Sequence, residues 1–201
     1  MDEDQRRGFL LEAEDEARRV GREFGWDSPQ ATAWRQRQLG LERSTAAQLG
    51  LPYAQRFSVG VEWGATTPMP VLLSGQRTFV IVHHCAGAQV TRDITVVEFK
   101  RVASLTIGLS NEEVLRRHNL WGSGLEIHSA HEVMNSPRVT ELMELNRGHE
   151  LFDERLWRGK RHFLLTFRDA TLECIANRTI ARTVLGATMA DVLARLSLEL
   201  L

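Results

Sequence analysis

His162-Phe163-Leu164-Leu165-Thr166-Phe167, followed by Arg168-Asp169-Ala170 and then Thr171-Leu172-Glu173-Cys174-Ile175-Ala176, reads as two extended segments joined by a short turn. β-Branched, aromatic and aliphatic residues dominate both runs, as they do in paired strands. Successive strand side chains point to opposite faces. His162, Leu164 and Thr166 therefore share one face and Phe163, Leu165 and Phe167 the other. On the second strand Glu173, Ile175 and Asn177 alternate with Leu172, Cys174 and Ala176. Cys174 then sits among apolar neighbours as a buried, inert thiol, whereas Glu173 is a carboxylate whose role depends on what its face meets.

Working upstream, a second hairpin is marked by Val71-Leu72-Leu73 and Thr78-Phe79-Val80-Ile81-Val82 around Ser74-Gly75-Gln76-Arg77. Phe57 to Trp63 alternates apolar with small or polar residues, as a half-buried strand does. Ile94 to Ile107 is β-prone throughout, with a bend expected near Arg101, and Leu125 to Val133 reads as one more strand. Helices are expected from Glu3 to Phe24, from Ser28 (N-cap, with Pro29 next) to Gly40, and from Thr45 to Leu49. Others follow Ser110-Asn111-Glu112-Glu113, which matches a capping box, and the caps Ser136 and Thr188.

Strands joined by short turns argue for an antiparallel sheet rather than a doubly wound parallel one. The expected fold is α+β: a curved antiparallel sheet or half-barrel with helices packed on one side. Residues 1–52 form a helical N-terminal extension and residues 53–201 the α+β body. The extension packs either on that body or on a second chain, where its amphipathic helices would make a homodimer.

Composition removes several function classes. The chain has 201 residues with 25 basic and 26 acidic side chains, so its formal net charge of −1 gives no general attraction to nucleic acid or an anionic membrane. No apolar run is long enough to span a bilayer, and the charged first twenty residues are unlike a signal peptide. Two cysteines, Cys85 and Cys174, are too few for a disulfide scaffold and fit a reducing cytoplasm. Only Lys100 and Lys160 are lysines, and neither lies in a motif. No phosphate loop or dinucleotide fingerprint occurs, so no cofactor is assigned. Ser44 to Pro52, downstream of Arg35, Arg37 and Arg43, has the flavour of a helix-turn-helix, but a strand is expected where its recognition helix should run.

His118-Asn119-Leu120-Trp121-Gly122-Ser123-Gly124-Leu125-Glu126, Glu132-Val133-Met134-Asn135-Ser136 and the 162–176 hairpin together resemble a family of uncharacterised bacterial proteins, over roughly residues 55–180. The resemblance implies no activity, ligand or site residue.

Candidate site residues come from the inferred strands. On a regular 125–133 strand His128 shares its side with Glu126 and Glu132, an imidazole with two carboxylates. That set suits acid/base chemistry, with His128, Glu126 and Glu173 as catalytic candidates. It also suits a hard metal held by His128 and Glu132, the mark of a metal-dependent enzyme; a solvated strand face would produce the same pattern. His131 falls on the opposite, apolar side as a core histidine in need of a hydrogen-bond partner. His83 and His84 end a strand before Cys85 and point to opposite faces. Glu98, His84 and Trp121, the last in a glycine-rich loop, are candidates for lining a ligand pocket on the concave face of the sheet. Two readings follow: a small-molecule site, binding or catalytic, in that concavity; and a non-catalytic interaction module, immunity or regulatory in type, that uses the N-terminal helices.

Overall fold

The computed structural model describes residues 3–61, 63–86, 89–108 and 113–200, without the side chains of residues 3–7, 9, 10 and 86. The N-terminal segment forms two helices, α1 (Glu3–Phe24) and α2 (Pro29–Gln48). Gly25, at φ 87°, ends the first, and the Ser28 hydroxyl accepts the Ala31 N–H at 3.1 Å to begin the second. The separate helix expected over Thr45–Leu49 is instead the end of α2, which runs through Gly40. A mid-helix glycine costs only about 1 kcal/mol, and buried Leu39 and Ala46 on either side of Gly40 offset it. The strand that follows is β1 (Tyr53–Arg56), so no recognition helix succeeds the 44–52 segment.

The remaining strands are β2 (Val71–Ser74), β3 (Thr78–Ala86), β4 (Gln89–Lys100), β5 (Ser104–Gly108), β6 (Ala130–Met134), β7 (Arg161–Thr166), β8 (Thr171–Ala176) and β9 (Arg178–Val184). Helix α3 (Pro137–Asn146) lies between β6 and β7, and α4 (Met189–Glu199) ends the chain. Both hairpins form in the expected places: Leu73 pairs with Phe79, and Leu165 with Leu172. The caps at Ser136 and Thr188 are present, the latter as a reciprocal capping box with Asp191.

The fold class is α+β with antiparallel pairing, but the strands divide into two sheets, ordered β1-β6-β7-β8-β5 and β2-β3-β4-β9, and close no barrel. The division happens at a corner. Arg101 takes φ 55° and turns the strand from β4 into β5, at the residue where a bend was expected. Its neighbour turns with it at Asn177, from β8 into β9. The bonds Asn177 N–H to Lys100 O (2.9 Å) and Ala103 N–H to Ile175 O (2.7 Å) carry the pairing around the bend.

Between the sheets lies the main core: Val80, Val82, Val97 and Phe99 against Phe163, Leu165, Phe167, Leu172 and Cys174. Strand β3 is apolar on both faces, so its outer residues Phe79 and Ile81 need cover too. Val192 and Leu196 of α4 supply it. The outer face of the first sheet is covered by Leu115, Leu120 and Leu125 from the 113–128 segment, on Ala54, Val133 and Leu164. Helices contact both sheets, α2 at the β1 edge of the first and α4 on the outer face of the second. No helix among the described residues is long and apolar enough to cross a membrane.

Three further expectations change. The described part of 57–63 is not a strand, although its alternation survives as packing: Val59 and Trp63 are buried in the core, with Phe57 and Val61 against it. The 125–133 strand begins only at Ala130. The capping box at 110–113 lies mostly outside the described residues, and the chain beyond it makes a single 3-10 turn, Leu115–Arg117. Strand β9 was not anticipated.

Candidate functional site

The turn before β6 decides where the candidate residues go. His128 takes φ 52°, a left-handed conformation that costs a non-glycine residue about 1 kcal/mol or more. Regular alternation therefore stops there, and Glu126, His128 and Glu132 do not share a face.

Glu126 folds back toward α2, its carboxylate only 10% exposed. Arg43 donates to it, Gln36 Nε2 lies at 3.4 Å and Arg56 at 3.6 Å. Arg43 also donates to the carbonyls of Ala54 (3.0 Å) and Gly124 (3.2 Å). Its neighbour Glu42 accepts the Gly124 N–H at 3.0 Å and the Gln38 amide at 2.9 Å. Burial pushes the Glu42 carboxyl above the ordinary range, against those two hydrogen bonds and the Arg43 charge. Gly124 sits at φ 85°, where a Cβ would come within 2.4 Å of the Arg43 side chain and 2.7 Å of the Ala54 carbonyl. This is a latch between α2 and the body, and it engages Glu126 structurally rather than as a free catalytic acid.

His131 is the core histidine it was expected to be, and the Glu126 N–H donates to its Nε2 at 3.2 Å. Burial first, then the charges of Arg43 and Arg56, lower its pKa to about 3, so it stays neutral. Glu132 pairs with Arg161 at the rim of the other face. His128 and Glu132 therefore do not form the expected metal pair. Among the described residues no three His, Cys, Asp or Glu side chains are grouped to hold a metal ion.

Glu173 lies on the outer face of the first sheet between two imidazoles. His162 Nε2 is 3.5 Å from one carboxylate oxygen and His118 Nε2 is 3.7 Å from the other. His118 and His162, in that order of effect, hold the carboxyl well below the usual range despite partial burial. The Ser136 hydroxyl, 2.8 Å from His162 Nδ1, and the Leu120 N–H, which donates to His118 Nδ1, fix both rings. The cluster ties the 113–128 segment and the start of α3 to the sheet. Cys174, on the inner face, is fully buried, and desolvation pushes its thiol up to about 12.

The ligand candidates disperse. Glu98 is on the second sheet beneath α4, hydrogen-bonded by Arg77 and Lys100, both at 2.6 Å. His84 Nε2 meets the Thr95 hydroxyl at 2.7 Å on that sheet. Trp121 stands exposed on a turn. Of the residues proposed from sequence, His128 alone lines the hollow found at the β1 edge of the first sheet.

That hollow encloses about 340 Å³. Gln36 and Arg43 of α2 and Gln55 and Arg56 of β1 bring polar groups to it, and Phe57, Val59, Val61 and Trp63 bring apolar ones. Trp63 is fixed by its indole N–H, which donates to the Thr166 carbonyl at 2.8 Å, and by stacking on Phe167 at 5.1 Å between centroids. Sequence reading missed Gln36, Gln55, Arg56 and Trp63 as a group because three separate segments supply them. The alternation of 57–63 was the one local signal.

These observations define the class: an α+β protein of two antiparallel sheets with a partly polar hollow at one sheet edge. No family model, curated protein or solved structure matches the chain.

Proposed function

We propose that the protein binds a small molecule in the hollow between α2, the 57–63 segment and the turn at His128. One observation carries the reading: a hollow of ligand size, about 340 Å³, has a non-glycine residue with φ 52° in its wall. Binding sites are typically concave, mostly apolar and furnished with a few convergent polar groups. Residues held in costly backbone conformations cluster at such sites. The wall is mixed, with Gln36, Gln55 and His128 among its polar residues and Val59, Val61 and Trp63 among its apolar ones. It suits a compact ligand that carries both polar and apolar groups. Of the pocket inferred from sequence, with Glu98, His128, Glu173 and His84 in its wall and Trp121 near its mouth, this one keeps His128.

The test uses a metabolite and fragment library, read by the NMR signal of the Trp63 indole N–H and assigned with Trp63→Phe. A bound compound is expected to shift that signal, and His128→Gly is expected to weaken its binding about tenfold. Glycine adopts φ 52° without strain, so the variant should fold as stably as the parent. A library with no compound that moves Trp63, or undiminished binding in His128→Gly, would remove the proposal.

A further inference from the structure

The far edge of the second sheet is built differently from the hollow. Strand β9 pairs along one side with β4, from Val184 opposite Ile94 to Arg178 opposite Lys100, with no shift of register. No other strand of the chain pairs with its second side among the described residues. Natural proteins protect such edges by keeping them short, covering them or breaking them with a bulge. This edge is seven residues long and regular, and most of it is exposed, including Ile180 at 41% and, just beyond its end, Leu185 at 76%.

Its charges have one sign. Arg178 and Arg182 are the only ionisable side chains of the strand, and Arg195 of α4 stands beside it. Glu199 holds Arg182 at 2.8 Å, but Arg178 and Arg195 have no ion pair among the described residues. The nearby acids are engaged: Asp191 in the Thr188 cap and Asp93 with the Gly186 N–H at 3.1 Å. A groove of about 400 Å³ opens between β9 and α4, with Val184, Leu185, Ala187, Val192 and Leu196 in its walls and Arg195 beside them.

We infer that β9 is a docking edge for an extended acidic peptide segment of another protein. The segment adds as a further strand of this sheet. Strand addition supplies main-chain hydrogen bonds, and alternate side chains supply specificity. Acidic side chains on the segment meet Arg178 and Arg195, where carboxylates find paired donors, and an apolar side chain enters the groove against α4. A second copy of this chain fits less well, because it would bring a second row of arginines to the same edge. A phosphate backbone would leave the apolar groove and the strand's amide groups unused.

The experiment takes the full chain and the peptide acetyl-ETETLTE-amide, whose glutamates and leucine share one strand face, with acetyl-KTKTLTK-amide and an oligothymidylate as comparisons. Binding is read by fluorescence anisotropy and by hydrogen exchange of the β9 amides. The glutamate peptide is expected to bind and to slow exchange across residues 178–184 by about tenfold. The double variant Arg178→Glu/Arg195→Glu, both at exposed positions outside ion pairs, should weaken that binding about fivefold or more. Absence of binding overturns the inference, as does equal binding of the lysine peptide or the oligothymidylate, or an unaffected double variant. Protection of β9 without peptide that rises with protein concentration would assign the edge to a second copy instead.

Discussion

Glu126 and Glu173 both lie over the outer face of the first sheet, and they are held by different chemistry. Guanidinium groups from α2 and β1 meet Glu126, and two imidazoles meet Glu173. A guanidinium offers a carboxylate a rigid fork of N–H donors and a permanent charge, whereas an imidazole offers it a single ring nitrogen. The first carboxylate is nearly enclosed, at 10% exposure, and the second is open at 35%. One is therefore a fixed joint that holds the N-terminal helices, and the other is a clamp that responds to acid. Both carboxylates are thus engaged within the fold.

The largest effect is expected from breaking the fixed joint. Arg43→Ala leaves the Glu126 carboxylate with Gln36 at 3.4 Å and Arg56 at 3.6 Å, and removes the donor to the Ala54 and Gly124 carbonyls. Removing one partner of a buried pair typically costs about 3 kcal/mol or more. Urea denaturation should show that loss, with protease sensitivity appearing first in α1 and α2. A loss under about 1 kcal/mol would mean that the latch is only a surface contact.

Acid sharpens the comparison at Glu173. Its folded pKa lies below the ordinary value of 4.5. The stabilisation is thus present above that value and is lost as pH falls through the folded pKa. Because about a third of the side chain is open to solvent, Glu173→Gln should cost only about 1 kcal/mol at pH 7. The same variant should lose part of the acid limb of the stability profile below the ordinary carboxylate range. Stability profiles of parent and variant that run parallel from pH 7 to pH 3 would show that the imidazoles do not hold the carboxylate.

Local chemistry made much of this fold legible from sequence. Both hairpins, the caps at Ser28, Ser136 and Thr188, and the bend at Arg101 depend on residues within a few positions of one another. The hidden features are those that distant segments decide. Arg43 and Glu126 are 83 residues apart, and nothing around either marks the other. The separation into two sheets follows from a corner made jointly by Arg101 and Asn177, and only the first was visible. His128 misled most: a glycine would have announced φ > 0, whereas a histidine between Ile127 and Ser129 reads as continuing strand. The 57–63 segment misled less, since its alternation predicted which residues pack inward but not that they lack a strand partner.

The smallest expected effect separates the two residues of the joint itself. Glu42 and Arg43 are neighbours on α2 and both contact Gly124, yet they contribute with opposite sign at neutral pH. Burial raises the Glu42 carboxyl, so the folded state binds its proton more tightly than the unfolded state does. An ionised Glu42 is therefore a cost above its folded pKa, and that cost disappears as pH falls through it. Glutamine keeps an oxygen for the Gly124 N–H and removes the charge, and the Gln38 amide can turn to pair with it. Glu42→Gln should change stability by no more than about 0.5 kcal/mol at pH 7, in the stabilising direction. As pH falls from neutrality toward the ordinary carboxylate range, the parent should gain on the variant. A variant destabilised by as much as Arg43→Ala would show instead that the Glu42 charge, and not its hydrogen-bonding oxygen, is what Gly124 and Arg43 require.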